Sequence, residues 1–276
     1  MNILNIIWDI DPVLFKAGPI QFRYYSLCWI LAFASGFCVL KVIYEKENIP
    51  HEKLLSLLIY IFFGTLIGAR LGHCLFYDPV YFLTHPLEML LPFGKDEYGD
   101  FIFTGYAGLA SHGGAIGIVI AIGIYSYRYK VRVWGILDQL ALVAPLAGMF
   151  IRLGNFFNSE IVGYPTNMPW GVVFSRVDNL SRHPAQLYEA IAYLAIFIVL
   201  YYLYTRKQEN FQAGFLFGLA LILIFSFRFF VEFYKEVQED FESGMLFDMG
   251  QYLSIPFFIG GIVIIILKHK THKGIS

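Results

Sequence analysis

Gly148–Gly163 reads GMFIRLGNFFNSEIVG: an apolar run that ends by placing Arg152, Asn155, Asn158 and Glu160 among Phe and Gly, just before the Pro- and Gly-bearing YPTNMPWG. A second polar cluster, SRHPAQLYE from Ser181 to Glu189, follows it. A charged side chain at membrane depth is costly unless it faces a cavity or a partner, so polar groups this dense beside hydrocarbon mark a candidate functional site.

The hydrocarbon itself is read from the composition. The chain of 276 residues is 58% hydrophobic, 18% aromatic and only 15% charged, with a mean hydropathy of +0.60. Soluble domains carry about a quarter charged residues. Apolar runs of about 20 residues, each long enough to cross a bilayer, recur along the chain. Seven spans are expected, at about Tyr24 to Tyr44, Leu54 to Phe76, Ala107 to Tyr127, Trp134 to Leu153, Gln186 to Tyr204, Phe211 to Tyr234 and Tyr252 to Leu267. The fold class is therefore an all-α integral membrane protein of seven transmembrane helices, with outer loops forming a small head region and residues 1–276 making a single polytopic membrane domain. Within the second span Gly64 and Gly68 form a small-xxx-small face that permits close helix approach.

Seven spans put the two termini on opposite sides. Of the 20 Lys and Arg, 11 fall in one set of short connections and the C-terminal tail, from Lys41 to Lys273. The positive-inside rule then places the C-terminus in the cytoplasm and the N-terminus outside. The long segments 77–106, 155–185 and 235–250 become outer-face segments.

Several function classes are not indicated. The net charge is −1 and no Lys/Arg tract is interleaved with aromatics, so nucleic acid is not an expected partner. Cys28, Cys38 and Cys74 form no CxxC pair and sit in or beside apolar runs, as packed small hydrophobes would. MNILNIIWDIDPVLF has no basic n-region and is interrupted by Asp9 and Asp11, so no cleavable signal is expected. HExxH, Cys/His ligand spacings, GxSxG and the nucleotide-binding glycine loops do not occur, and neither a metal nor a cofactor is expected.

Arg152 could pair with Glu160 or snorkel, or it could face a ligand. Arg228, a second arginine within a span, favours the ligand, and its neighbour Glu232 at i+4 could hold its rotamer. Two guanidiniums suggest an anion, and a guanidinium fork matches the phosphate of a phospholipid. His112 in SHGGA has Gly113 and Gly114 beside it; an imidazole, with an ordinary pKa of about 6.5, could accept a proton from a thiol or hydroxyl, or could simply be packed. His183 in the second cluster reads first as part of a capping and hydrogen-bonding group, with Pro184 at a first helical position.

Together these residues resemble the phosphatidylglycerol–prolipoprotein diacylglyceryl transferases of bacteria. The resemblance rests on RLGNFFNSEIVG from Arg152 to Gly163, RHPAQLYEA from Arg182 to Ala190, RYYSL at Arg23 to Leu27, GARLGH at Gly68 to His73, HGG at His112 to Gly114, RFFVEF at Arg228 to Phe233 and MGQYLSIP at Met249 to Pro256. It implies catalytic roles for His112, Arg152 and Arg228. It also implies substrate contacts by Arg152, Tyr25, Asn155, Glu160, Gly163 and Arg228; Arg70 and Glu232 are further candidate substrate contacts, although Arg70 near the end of its span could equally snorkel. Ile224 stands where the family often has a tyrosine four residues before the second arginine. The implied reaction moves the sn-1,2-diacylglyceryl group of phosphatidylglycerol to the lipobox cysteine of a prolipoprotein, making a thioether and releasing glycerol 1-phosphate. By the same resemblance the outer loops are periplasmic and the protein sits among the lipids of the bacterial inner membrane, with no cofactor. A phospholipid-binding transporter or scavenger is the competing class, but it would more naturally show an internal repeat or paired broken helices, which the sequence lacks.

Overall fold

The computed structural model describes residues 6–18, 20–77, 79–85, 89, 93–95, 101–103, 110–207, 211–236 and 246–273. The expected start of the third span at 107–109, much of the outer segment 77–106 and positions 237–245 of the last outer segment lie outside the described residues.

The helices are α1 (Tyr24–Lys46), α2 (His51–Tyr77), α3 (Pro79–Thr84), α4 (Ser111–Tyr129), α5 (Val133–Asn158), α6 (Ala185–Lys207), α7 (Phe215–Val231) and α8 (Met249–Lys273), with a 3-10 turn at Glu232–Tyr234 after α7. Six of them are long and apolar enough to cross a membrane: α1, α2, α5, α6, α7 with its 3-10 turn, and α8. The protein is thus mostly helical, as an all-α integral membrane protein should be. The third expected span is present as helix α4, but His112, its glycines and its Tyr- and Arg-bearing end dilute its hydropathy, and it is not one of the six. The helix that carries the fourth expected span, α5, continues past Leu153 to Asn158, so Arg152 and both asparagines are helical residues.

The chain forms two compact units, Ile43–Ile136 and a larger one made of Met1–Val42 with Leu137–Ser276. In the smaller, α2 and α4 run antiparallel. Tyr125 near the end of α4 donates its hydroxyl to the Lys53 carbonyl at 2.9 Å, and Tyr129 donates to Ser56 Oγ at 2.9 Å, both at the start of α2. At the opposite end the Ala110 N–H donates to the Ala69 carbonyl at 2.9 Å. Between those ties the helices touch backbone to backbone: a Cβ on Gly72 would lie 2.7 Å from Gly113 Cα, and one on Gly64 2.6 Å from Ala121 Cβ. This is the close approach that the Gly64 and Gly68 spacing predicts.

In the larger unit a small head sits on the helices. Strand β1 (Ile6–Trp8) pairs in parallel with β6 (Val172–Phe174), which pairs antiparallel with β7 (Ser181–Arg182). Two antiparallel ribbons, β2 (Val13–Ala17) with β3 (Ile20–Arg23) and β4 (Phe93–Lys95) with β5 (Phe101–Phe103), are separate from that sheet, the second belonging to the smaller unit. The head packs on Phe156, Val162, Val172 and Phe174, with Trp8 and Leu187 against them. Below it, Asp138 of α5 accepts the backbone N–H groups of Gly214 at 2.6 Å and Phe217 at 2.8 Å. Those are orphan donors of a helix start, so a carboxylate from another helix caps α7. The same contact ties α7, which carries Arg228, to α5, which carries Arg152. Gly218 and Gly261 let α7 and α8 close up, a Cβ on Gly261 falling 2.6 Å from the Gly218 carbonyl oxygen.

Candidate active site

The end of α5 builds the first wall of the site. Two residues there adopt left-handed backbone, Ser159 at φ 56° and Ile161 at φ 57°. For a β-branched residue such as isoleucine that conformation is an outlier that the surroundings must enforce. The turn they make folds Glu160 back on its own helix: the Glu160 N–H donates to the Asn155 carbonyl at 2.9 Å, and the Glu160 carboxylate accepts from Asn155 Nδ2 at 3.1 Å and Asn158 Nδ2 at 3.0 Å. Asn155 Oδ1 in turn accepts from Arg152 Nη1 at 3.4 Å. Glu160 thus reaches Arg152 through Asn155, and does not pair with it.

The ion-pair partner of Arg152 is Glu189 of α6, with Nε 3.0 Å from Oε2. The Glu189 side chain is fully buried and that of Arg152 is 12% exposed. Oε2 receives no well-aligned hydrogen bond, so the contact is chiefly one of charge; the other carboxylate oxygen accepts the Tyr193 hydroxyl at 3.5 Å. Beside Glu189, Gln186 is fully buried and donates to the Glu160 carbonyl at 2.5 Å.

The second wall comes from the turn after α7 and the start of α8. Glu232 accepts from the buried Lys235 ammonium at 2.8 Å and lies against Gly250, where a side chain would collide with the carboxylate. Arg228, four residues before Glu232, has no ion pair with it; the i+4 pairing read from the sequence is replaced by the Glu232–Lys235 bridge. Together Arg152, Arg228, Glu232, Lys235 and Asp248 line a cavity of about 200 Å³. A larger cavity, about 630 Å³ against α2 and α4, is walled by Ile, Leu, Phe, Ala and Gly with Tyr60, and has no charged residue in its lining.

Gly163 serves that cavity through its backbone. It bridges to Lys235, donates its N–H to the His183 carbonyl at 3.0 Å and accepts from Arg182 Nη1 at 3.1 Å. Three segments converge so closely that a Cβ there would lie 2.6 Å from His183 Cβ and 2.5 Å from the Tyr234 oxygen. Arg182 also binds Asp178 and, at 2.9 Å, Glu236. The guanidinium holds the Asp178 carboxyl below the usual carboxylate range, and the carboxylate raises Arg182 in return. Burial pushes the His183 imidazole below its ordinary value. His183 Nδ1 lies 3.0 Å from the Tyr188 hydroxyl, which accepts from Trp170 Nε1 at 2.8 Å, so the group is the hydrogen-bonding cluster that SRHPAQLYE suggests.

Of the expected residues, the structure brings Arg152, Arg228 and Glu232 to one cavity. Asn155, Glu160 and Gly163 act on its wall through hydrogen bonds. Tyr25 packs on the backbone of Gly154, where a Cβ would lie 2.8 Å from its ring. Arg70 and His112 belong to the smaller unit. Buried Arg70 donates from Nε to the Met89 carbonyl at 3.2 Å and stands 5.1 Å over the Phe82 ring. His112 is exposed, with its ring 5.2 Å from that of Phe76 and 6.1 Å from that of Tyr77. Sequence reasoning left Glu189, Lys235 and Asp248 out of the site. Glu189 carried a usable signal, a carboxylate a turn inside an apolar span.

What the cavity can do is hold an anion. Arg152 spends Nε on Glu189, which fixes the plane of the guanidinium, while Arg228 forms no ion pair with a described residue. Two guanidiniums held in a partly water-excluded site are matched to a phosphate and to negative charge that grows on it.

A sequence model of the prolipoprotein diacylglyceryl transferase family matches residues 12–267. A protein of Bacteroides fragilis named phosphatidylglycerol–prolipoprotein diacylglyceryl transferase is 48% identical over 268 residues, covering 97% of each chain. Proteins of the same name from Tolumonas auensis and Chloroherpeton thalassium are 45% identical, covering 96% of this chain and 98% of theirs, and 42% identical, covering 96% and 95%. With its two arginines on one cavity and its similarity to these relatives running almost end to end, the chain belongs to the prolipoprotein diacylglyceryl transferase family.

Proposed function

We propose that this multi-pass membrane protein is a transferase that moves the diacylglyceryl group of phosphatidylglycerol onto a prolipoprotein, at the sulfur of its lipobox cysteine. The thiolate attacks a glycerol carbon of the lipid and forms a C–S bond. The C–O bond to phosphate breaks, and glycerol 1-phosphate leaves with the electron pair. The observation that carries this reading is the pair Arg152 and Arg228 on one small polar cavity. A thiol of ordinary pKa about 8.5 needs modest help to ionise, whereas a departing phosphate needs positive charge already in place. Arg152 and Arg228 supply it, Asn155 and Glu160 steady Arg152, and Glu232 sets the far wall. Tyr25 contacts the lipid and His112 accepts the thiol proton, as the family resemblance implies, and Arg70 is a further candidate lipid contact.

The family match extends across both units, which supports reading the whole chain as one functional membrane domain. The seventh span in this reading is α4. Its 19 residues make about 28 Å of helix, near the thickness of a bilayer core, and it lies along α2 with Val119, Ile120 and Ile124 exposed. In this reading, supported by the positive-inside bias of the short connections, the N-terminus lies in the periplasm and the C-terminus in the cytoplasm. Reporter fusions after Tyr127 and after Lys207 should both read as cytoplasmic; an outside signal from either overturns the topology. The activity is tested by supplying purified protein with phosphatidylglycerol and a lipobox peptide. Release of glycerol phosphate with lipid-modified peptide is expected, and lipid binding without release would sink the transferase reading.

A further inference from the structure

The charges on the cavity wall can be paired off. Arg152 is bound to Glu189, Lys235 to Glu232, and Glu236 to Arg182. Two charged wall residues remain that make no ion pair among the described residues, Arg228 and Asp248. Asp248 immediately precedes α8, where an aspartate ordinarily turns its carboxylate onto the first N–H groups of the helix. Here only half of such a capping arrangement is made: the Asp248 backbone N–H donates to Gln251 Oε1 at 3.1 Å, the carboxylate bonds no described residue, and Asp248 is one of the residues lining the cavity.

A cavity with one guanidinium and one carboxylate that form no ion pair among the described residues suits a ligand that is anionic at one end and a hydrogen-bond donor at the other. Its volume of about 200 Å³ equals roughly seven waters' share of liquid. That is room for a phosphate with a small polar substituent. We propose that Asp248 accepts a hydroxyl of the headgroup attached to the lipid phosphate, and so selects a polyol headgroup over one with no donor. The proposal rests on the transferase reading, which supplies the phospholipid. Arg228 and Arg152 hold the phosphodiester, and Asp248 reads what hangs from it.

The test compares phosphatidylglycerol with phosphatidylmethanol, which keeps the phosphodiester and the acyl chains but has no headgroup hydroxyl. Dissociation constants are measured by displacement of a fluorescent phospholipid from the purified full chain, for wild type, Asp248→Asn and Asp248→Ala. A hydrogen bond to a charged group corresponds to about tenfold to a hundredfold in affinity. Wild type should therefore bind phosphatidylglycerol at least about tenfold more tightly than phosphatidylmethanol. Asp248→Ala should weaken phosphatidylglycerol to the level of phosphatidylmethanol and leave phosphatidylmethanol unchanged. Asp248→Asn, which keeps an acceptor oxygen without the charge, should fall between. Equal binding of the two lipids by wild type, an unchanged ratio in Asp248→Ala, or an equal loss for both lipids would each overturn the proposal. Glycerol phosphate release on the same wild-type preparation reports on the transfer reaction separately, so a protein with the expected binding ratio and no release would keep the headgroup contact and lose the transferase reading.

Discussion

Arg152 of α5 and Glu189 of α6 form an ion pair with Nε 3.0 Å from Oε2, and the Glu189 side chain has no contact with solvent. The arginine proposed to offer its fork to a phosphate is therefore also the counter-charge of a buried carboxylate. Removing it does two things at once.

Arg152→Ala should abolish transfer and also destabilise the protein by about 3–5 kcal/mol, because it strands Glu189 as an uncompensated buried charge. Arg152→Ala with Glu189→Gln should recover most of the thermal stability in detergent and none of the activity. Equal stability of the single and double variants would contradict the pairing. Arg152→Lys should stay impaired, since an ammonium has charge without the planar fork.

Gly163→Ala should cost about 1–3 kcal/mol by overpacking, because the new methyl would press on His183 and on the Tyr234 carbonyl. Lys235 pairs with Gly163 across the bridge, so the cavity wall moves with it and glycerol phosphate release should drop sharply. A variant with native turnover would show that the convergence at Gly163 is not needed.

Two glycines of α4 should behave oppositely. Gly113→Ala puts a methyl 2.8 Å from Gly72 Cα and should lose about 1–3 kcal/mol. Gly123→Ala meets nothing within 4 Å and should gain up to about 1 kcal/mol from helix propensity. Thermal unfolding of the two variants side by side is the measurement, and a shared sign would count against the close α2–α4 contact.

His112→Gln should lower single-turnover transfer at saturating lipid by about 10²–10⁴-fold, the usual range for a general base, with phosphatidylglycerol affinity nearly unchanged. Raising the pH should restore part of the rate by supplying thiolate from solution. Affinity falling as far as rate, with no recovery at high pH, would make His112 a lipid ligand or a packing residue.

The head should weaken in mild acid. Burial lowers the His183 pKa in the folded protein relative to the unfolded chain, so the unfolded state takes up the proton first. The corresponding stability is fully present above the unfolded imidazole value of about 6.5 and is lost as pH falls through the lowered folded value. Thermal midpoints between pH 8 and 5 should decline for wild type by more than for His183→Gln. Parallel curves would assign the decline to other groups.

Residue order alone determined that this is a helical membrane protein, because a span needs only a run of about 20 apolar residues and leaves that run visible in one dimension. It also singled out Arg152 and Arg228 as candidates, since charge inside such a run is costly unless it faces a cavity or a partner. Gly64 and Gly68 announced a close helix contact, and α4 supplied it with Gly113 and Gly117. The sequence did not determine who pairs with whom. Glu160 lies eight positions from Arg152 and Glu189 lies thirty-seven, yet the nearer carboxylate went to two asparagines and the farther one took the arginine. Glu232, one helical turn from Arg228, went instead to Lys235. Helical spacing makes a pair possible, but a buried charge takes the partner that packing sets beside it, and that is fixed by how α5, α6 and α7 are laid together. The state of Asp248 has the same origin: Glu232 and Glu236 on that wall find Lys235 and Arg182, and among the described residues no cation is left to pair with Asp248.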